Sequence, residues 1–105
     1  MAAKKLLVVD DDSNLLEFLQ TKLRSADYEV KTALSGNDAV KMVRDEGYDL
    51  CVVDMRLADG NGISLMHEFH SMDPHMPVII LTGFGSVESA VDAMKKGAFS
   101  YLTKP

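Results

Sequence analysis

Leu50-Cys51-Val52-Val53-Asp54-Met55-Arg56 is the stretch whose reading decides the fold. An apolar run rich in β-branching leads straight into a carboxylate, with no alternation of polar and apolar positions. A short continuous run of this kind reads as a strand buried on both faces, as in a parallel sheet. Asp54 then sits where the strand leaves the sheet, a place poorly suited to core packing and well suited to chemistry.

The same pattern recurs on either side. Lys5-Leu6-Leu7-Val8-Val9 is a first strand that ends in Asp10-Asp11-Asp12. Asp12 and Ser13 are both good N-caps for a helix starting at about Asn14, with Leu15, Leu16, Leu19 and Leu23 inward and Phe18 alongside. Tyr28 to Ala33 is a more polar strand that suits a sheet edge. Ser35-Gly36 opens a second helix with Ala39, Val40 and Val43 inward, and Gly47 is its expected stop. After Asp54, Leu57-Ala58-Asp59-Gly60-Asn61-Gly62 is turn-rich, and a third helix from about Ile63 to Ser71 uses Leu65, Met66 and Phe69. Val78-Ile79-Ile80-Leu81-Thr82 is a fourth strand. Gly83-Phe84-Gly85-Ser86 leads into a fourth helix, with Val87, Ala90, Val91 and Met94 expected inward and Gly97 as its stop. Phe99 to Thr103 is the fifth strand, followed by Lys104-Pro105.

Helix-length connections between consecutive strands impose parallel pairing and right-handed crossovers. The prediction is an α/β doubly wound parallel sheet of five strands. No fifth helix follows the fifth strand, so residues 1–105 read as one C-terminally truncated domain, or the front of a longer protein. One sheet face would then lack cover, which leaves homodimer formation open.

A net charge of −5 argues against nucleic-acid binding, which needs clustered Lys and Arg to neutralise phosphates. Cys51 lies within the buried run and reads as a small core hydrophobe; a lone cysteine permits no internal disulfide and fits a reducing cytoplasm. No apolar run approaches a membrane span, and only four apolar residues follow Lys4-Lys5 before the aspartates, too few for a signal peptide. A cytoplasmic protein without a membrane partner is expected. His67 and His70 stand three apart on one helix with no third metal ligand nearby and read as a solvated face, while His75 sits in a Pro-flanked loop.

In sheets of this class the functional crevice lies outside the carboxyl ends of the strands. Those ends carry Asp10-Asp11, Asp54, Thr82, and Tyr101 to Lys104. Carboxylates converging on one rim repel one another unless a cation sits among them. Oxygen-only ligands, with no His or Cys, suit Mg²⁺. Lys104 and Thr82 suit phosphate oxygens. An acidic metal site with a Lys and a Thr, and no separate nucleophile or general base, describes phosphoryl transfer onto a carboxylate. Taken singly, each residue has a plainer role: Asp12 caps a helix, Thr82 ends a strand and Tyr101 packs. Their joint placement carries the reading.

Val8-Val9-Asp10-Asp11, Val53-Asp54, Leu81-Thr82-Gly83 and Tyr101-Leu102-Thr103-Lys104-Pro105 resemble, in order and over essentially the whole chain, the receiver domain of bacterial two-component response regulators. The resemblance implies a flavodoxin-like sheet of order 2-1-3-4-5. It also implies Asp54 as phosphoacceptor from a sensor histidine kinase, with Asp11 binding Mg²⁺ directly, Asp10 through water, and the Arg56 main-chain carbonyl as a further ligand. Thr82 would be the switch hydroxyl, Lys104 the phosphoryl counter-ion, Tyr101 the aromatic switch, and the Lys104-Pro105 peptide cis. Such a domain is no enzyme in the ordinary sense; it catalyses only its own phosphorylation and dephosphorylation. Gly85 to Val91 and Lys96-Gly97-Ala98 look most like receivers of the NtrC-like group, whose output parts are an AAA+ ATPase acting with sigma-54 polymerase and a DNA-binding domain. Ala58 departs from the family, which usually has Pro in this loop, and implies a looser loop after Asp54.

Two other classes compete. Leu6 to Ser13 also resembles the haloacid-dehalogenase phosphatase motif, with Asp10 as nucleophile and Asp12 as acid. That reading leaves Asp54 without a role in a chain short for such a fold. A phosphorylation-independent interaction module would have no need for Asp54, Thr82 and Lys104 together.

Overall fold

Strands β1 (Lys5–Val9), β2 (Glu29–Ala33), β3 (Leu50–Asp54), β4 (Val78–Thr82) and β5 (Ser100–Thr103) form one parallel sheet in the order β2-β1-β3-β4-β5. The coordinates are a computed structural model that describes residues 3–83 and 87–104. Sheet order and parallel pairing are as expected from the sequence, with β2 at an edge. Strand order reverses between β1 and β3, so the crevice at their carboxyl ends is the topological switch point.

Among the described residues, helices α1 (Ser13–Ser25), α2 (Gly36–Asp45), α3 (Gly62–Met72) and α4 (Val87–Lys95) cover the sheet. Alternate residues of each central strand enter opposite layers. Leu7, Val9, Cys51, Val53, Val78 and Ile80 pack with Ala39, Val43, Leu65, Met66, Phe69 and Ala93 of α2, α3 and α4. Leu6, Val8 and Val30 pack with Leu16 of α1 on the other side. Burial from both sides explains the absence of polar alternation in β1, β3 and β4. Cys51 is fully buried against Met76, and burial pushes its thiol up to about 12, so it is the inert core residue expected. No helix among the described residues is long and apolar enough to cross a membrane.

Several local expectations need correction. In α4, Val91 and Met94 are each 47% exposed, and the inward residue is the fully buried Ala93. Ala93 thus marks the face of α4 turned to the core, and the larger apolar residues face outward. In α1 only Leu16 is buried; Leu15, Leu19 and Leu23 are half-buried and Phe18 is exposed, because this helix has only the β1–β2 side of the sheet to pack on. Asp12 alone caps it, its Oδ1 accepting from the N–H groups of Asn14 and Leu15. Gly47 is not the stop of α2. The helix ends at Asp45, and Glu46 turns to extended backbone with its carboxylate ion-paired to Lys5 of β1 and Lys31 of β2. Gly97 does stop α4, at φ +113°. His67 is exposed as expected, with Nε2 3.3 Å from the Lys96 carbonyl, whereas His70 is half-buried with Nε2 2.9 Å from the Met76 carbonyl. The inward placement of Val87, the Phe84–Ser86 stretch and the Lys104-Pro105 peptide lie outside the described residues.

Hydrogen bonds from Lys31 and Lys5 lower the Glu46 pKa from 4.5 to about 2. A carboxyl depressed in the folded state adds stability above its unfolded pKa and loses it as pH falls through the folded value. Wild type should therefore melt above Glu46→Gln at pH 7, and thermal melts at decreasing pH should show the gap closing between about 4.5 and 2.

Candidate functional site

β1 and β3 are neighbours, and Val9 pairs with Val53, so the residues that follow, Asp10 and Asp54, emerge side by side. Asp10, Asp11 and Asp54 each offer a carboxylate oxygen, all within 4.8 Å of one another, the one such group of potential metal ligands among the described residues. Asp10 is fully buried, Asp54 nearly so, and Asp11 faces solvent. Asp10 Oδ1 accepts from the Asp12 N–H at 2.9 Å. Asp54 Oδ1 accepts from the Arg56 N–H at 3.4 Å.

Lys104 reaches this rim because β5 runs beside β4: Thr103 pairs with Thr82, and the Lys104 N–H donates to the Thr82 carbonyl at 2.7 Å. Its ammonium donates to Asp54 Oδ2 at 3.2 Å and stands 2.9 Å from Asp10 Oδ2. Asp10 Oδ2 is a fully buried oxygen whose charge is met by the Lys104 ammonium. Burial raises the Asp54 pKa and the neighbouring Asp10 charge adds to the rise, while Lys104 opposes it. Burial works against the charge on Lys104, yet Asp10 and Asp54 outweigh it and hold the ammonium pKa above its usual range.

Three carboxylates against one ammonium leave two formal negative charges uncompensated in a largely desolvated cluster. This excess of negative charge and the all-oxygen donor set fit a hard divalent cation such as Mg²⁺. Thr82 is buried at the end of β4, one residue beyond the Asp54–Leu81 pair. Tyr101 is half-buried against the main core, and its hydroxyl shares a 2.8 Å hydrogen bond with Ser89 of α4. The structure thus brings Asp10, Asp11, Asp54 and Lys104 together, with Thr82 and Arg56 at the margin and Tyr101 engaged elsewhere.

The turn-rich loop after Asp54 is a small antiparallel hairpin, with Arg56–Leu57 paired to Gly60–Asn61. Asn61 caps α3 through Ser64 N–H. Gly62, which opens α3, is a site residue that the sequence did not announce. A Cβ there would lie 2.5 Å from the Asp54 carbonyl oxygen and 3.1 Å from Met55 Cα. Space rather than backbone conformation is what demands glycine; the Asn61-Gly62 pair is the only trace in the sequence, and it reads as a turn.

Residues 6–105 match the response regulator receiver domain, and the chain belongs to that family. It is 45% identical over 100 residues to the transcriptional regulatory protein ZraR of Salmonella typhimurium, covering 95% of this chain and 23% of that protein. The chain thus spans about a quarter of the length of such relatives. The fold matches the beryllofluoride-activated NtrC4 receiver domain dimer at a TM-score of 0.91 and 35% identity, covering 96% of this chain and 84% of that one. It also matches a Burkholderia pseudomallei response regulator with a phosphorylated aspartic acid, calcium ion and citrate, at a TM-score of 0.90 and 33% identity, covering 97% and 60%. A phosphatase nucleophile at Asp10 is out of keeping with both the family and a side chain that has no solvent exposure.

Gly62→Ala should destabilise the domain by about 1–3 kcal/mol, the usual cost of forcing atoms into a packed site. Gly47→Ala, whose Cβ meets nothing within 4 Å, should be neutral or slightly stabilising. Urea denaturation of both variants checks the contrast.

Proposed function

We propose that this receiver domain takes a phosphoryl group from the phosphohistidine of a sensor histidine kinase onto Asp54, and that the modification switches an output. The observation that carries the reading is the cluster of Asp10, Asp11 and Asp54 with the Lys104 ammonium held between buried Asp10 and Asp54. An Asp54 carboxylate oxygen attacks phosphorus, the phosphorus–nitrogen bond breaks, and the imidazole keeps the electron pair. Bound by Asp10, Asp11, Asp54 and the Arg56 main-chain carbonyl, Mg²⁺ would supply the positive charge that offsets the phosphoryl oxygens. Lys104 moves its ion pair from the carboxylates to the new phosphoryl group, and Thr82 turns its hydroxyl toward it. Tyr101 leaves Ser89 and turns inward, which changes how α4 sits on β5.

The readout surface on this reading is α4 and β5, where Val91, Met94, Phe99 and Leu102 are exposed. Similarity to a transcriptional regulatory protein four times as long, and to the NtrC4 receiver, supports a cytoplasmic regulator with an AAA+ ATPase and a DNA-binding domain acting on sigma-54-dependent transcription. On the α1 side of the sheet, Val52 is half-buried and Leu102 exposed, which leaves apolar surface there for a further contact. The NtrC4 neighbour is a dimer, which supports self-association here as well. DNA contact falls to the output part, given the net charge of −5 on this chain.

Intact mass after incubation with acetyl phosphate and Mg²⁺, followed by peptide mapping, tests the reading. Wild type should gain one phosphoryl group on Asp54 only when Mg²⁺ is present, and Asp54→Ala should gain none. Label on Asp10 would restore the phosphatase reading; no label on a folded sample would leave a phosphorylation-independent module.

A further inference from the structure

Asp59 stands at the tip of the hairpin that follows Asp54, and its carboxylate crosses to another element. Oδ1 accepts from the Gly36 N–H at 3.0 Å and Oδ2 from the Asn37 N–H at 2.9 Å. These are first-turn donors of α2, which have no partner inside the helix. Ser35, the N-cap of α2, accepts from the Asp38 N–H at 3.1 Å. The cap is therefore divided between a local serine and an aspartate more than twenty residues away in sequence. Both N–H groups hold the Asp59 carboxyl below its ordinary pKa, so it stays ionised and keeps both bonds near neutral pH. Space is matched as well: a Cβ at Gly36 would come 3.3 Å from Asp59 Oδ1.

The other end of the hairpin is fixed to the acidic centre. Met55 N–H donates to the Leu81 carbonyl, and Gly62 N–H donates to the Met55 carbonyl, both at 2.8 Å. Arg56, paired with Asn61, directs its N–H at Asp54 Oδ1. Arg56 thus lies on an arm pinned at its base by Gly62 and at its tip by Asp59. Ala58, not a proline, precedes Asp59 in the turn, so the tip is held by the Asp59 carboxylate rather than by a fixed backbone φ.

We infer that Asp59 is a positioning residue for the metal and phosphoacceptor centre, clamping the hairpin to α2 and so fixing the Arg56 main chain beside Asp54. The inference rests on the proposed function for the role of Arg56 in metal binding. Outer residues that orient metal ligands change affinity by about 10–100-fold when removed. Asp59 acts through backbone over several residues, so the low end applies.

Calorimetric titration of Mg²⁺ into the unphosphorylated chain, with a thermal melt of each variant, tests it. Asp59→Ala should weaken Mg²⁺ binding about tenfold, and Asp59→Asn, which keeps one acceptor oxygen, should fall between it and wild type. Ser35→Ala removes the local half of the same cap, and should lower Tm while leaving Mg²⁺ affinity unchanged. Asp38→Asn removes a negative charge from the same helix turn without touching the hairpin, and should likewise leave affinity unchanged. If Asp59→Ala only lowers Tm, as Ser35→Ala does, or if Asp38→Asn weakens binding equally, the positioning role is overturned. A wild type that binds no Mg²⁺ overturns the metal site itself, and the clamp's role in it along with it.

Discussion

Two carboxylates buried next to each other, Asp10 and Asp54, share one ammonium, and the site's chemistry follows from that imbalance. Like charges a few ångströms apart in a medium of low polarisability are costly, and an unsolvated carboxylate oxygen more so. Among the described residues the fold accepts this cost at a single place. It does so by setting β1 and β3 side by side, so that both chains leave the sheet at the same level, and by running β5 along β4 so that Lys104 arrives from the other side. A site built in this way is poised to take up positive charge or to accept a group that brings its own cation.

Backbone contacts hold this arrangement as much as side chains do. Gly62 lets α3 begin in contact with the Asp54 carbonyl, and the Lys104 N–H is tied to the Thr82 carbonyl. The hairpin after Asp54 adds an arm whose tip is bonded to α2. Tyr101 joins β5 to α4 through Ser89, at a distance from the acidic cluster. Changes at the centre therefore have short physical routes to two helices on the same side of the sheet.

The strands and the acidic centre were legible in the sequence for one reason. Parallel strands buried on both faces need unbroken apolar runs, so the first polar residue after each run marks a strand end, and strand ends are where this fold class does its chemistry. Asp10, Asp54 and Thr82 were found in that way. What the sequence did not disclose were choices made by tertiary packing. Helical periodicity placed Val91 and Met94 inward, but in the packed fold it is Ala93 that joins the core. Gly47 looked like a helix stop, yet ion pairs from Glu46 to two strands end α2 earlier. Gly62 and Asp59 act through main-chain groups that are distant or featureless in sequence, and no local pattern distinguishes them from ordinary turn residues.

The most direct measurement of the central claim is the thermal stability of the unphosphorylated chain with and without Mg²⁺, for wild type and Asp10→Asn. A cation-deficient cluster predicts that Mg²⁺ at a hundredfold excess over its Kd raises the wild-type Tm by on the order of 10 °C. It also predicts that Asp10→Asn, relieved of one buried charge, melts higher than wild type without Mg²⁺ and hardly responds to the ion. A wild-type Tm indifferent to Mg²⁺, or an equal response in Asp10→Asn, would contradict the account.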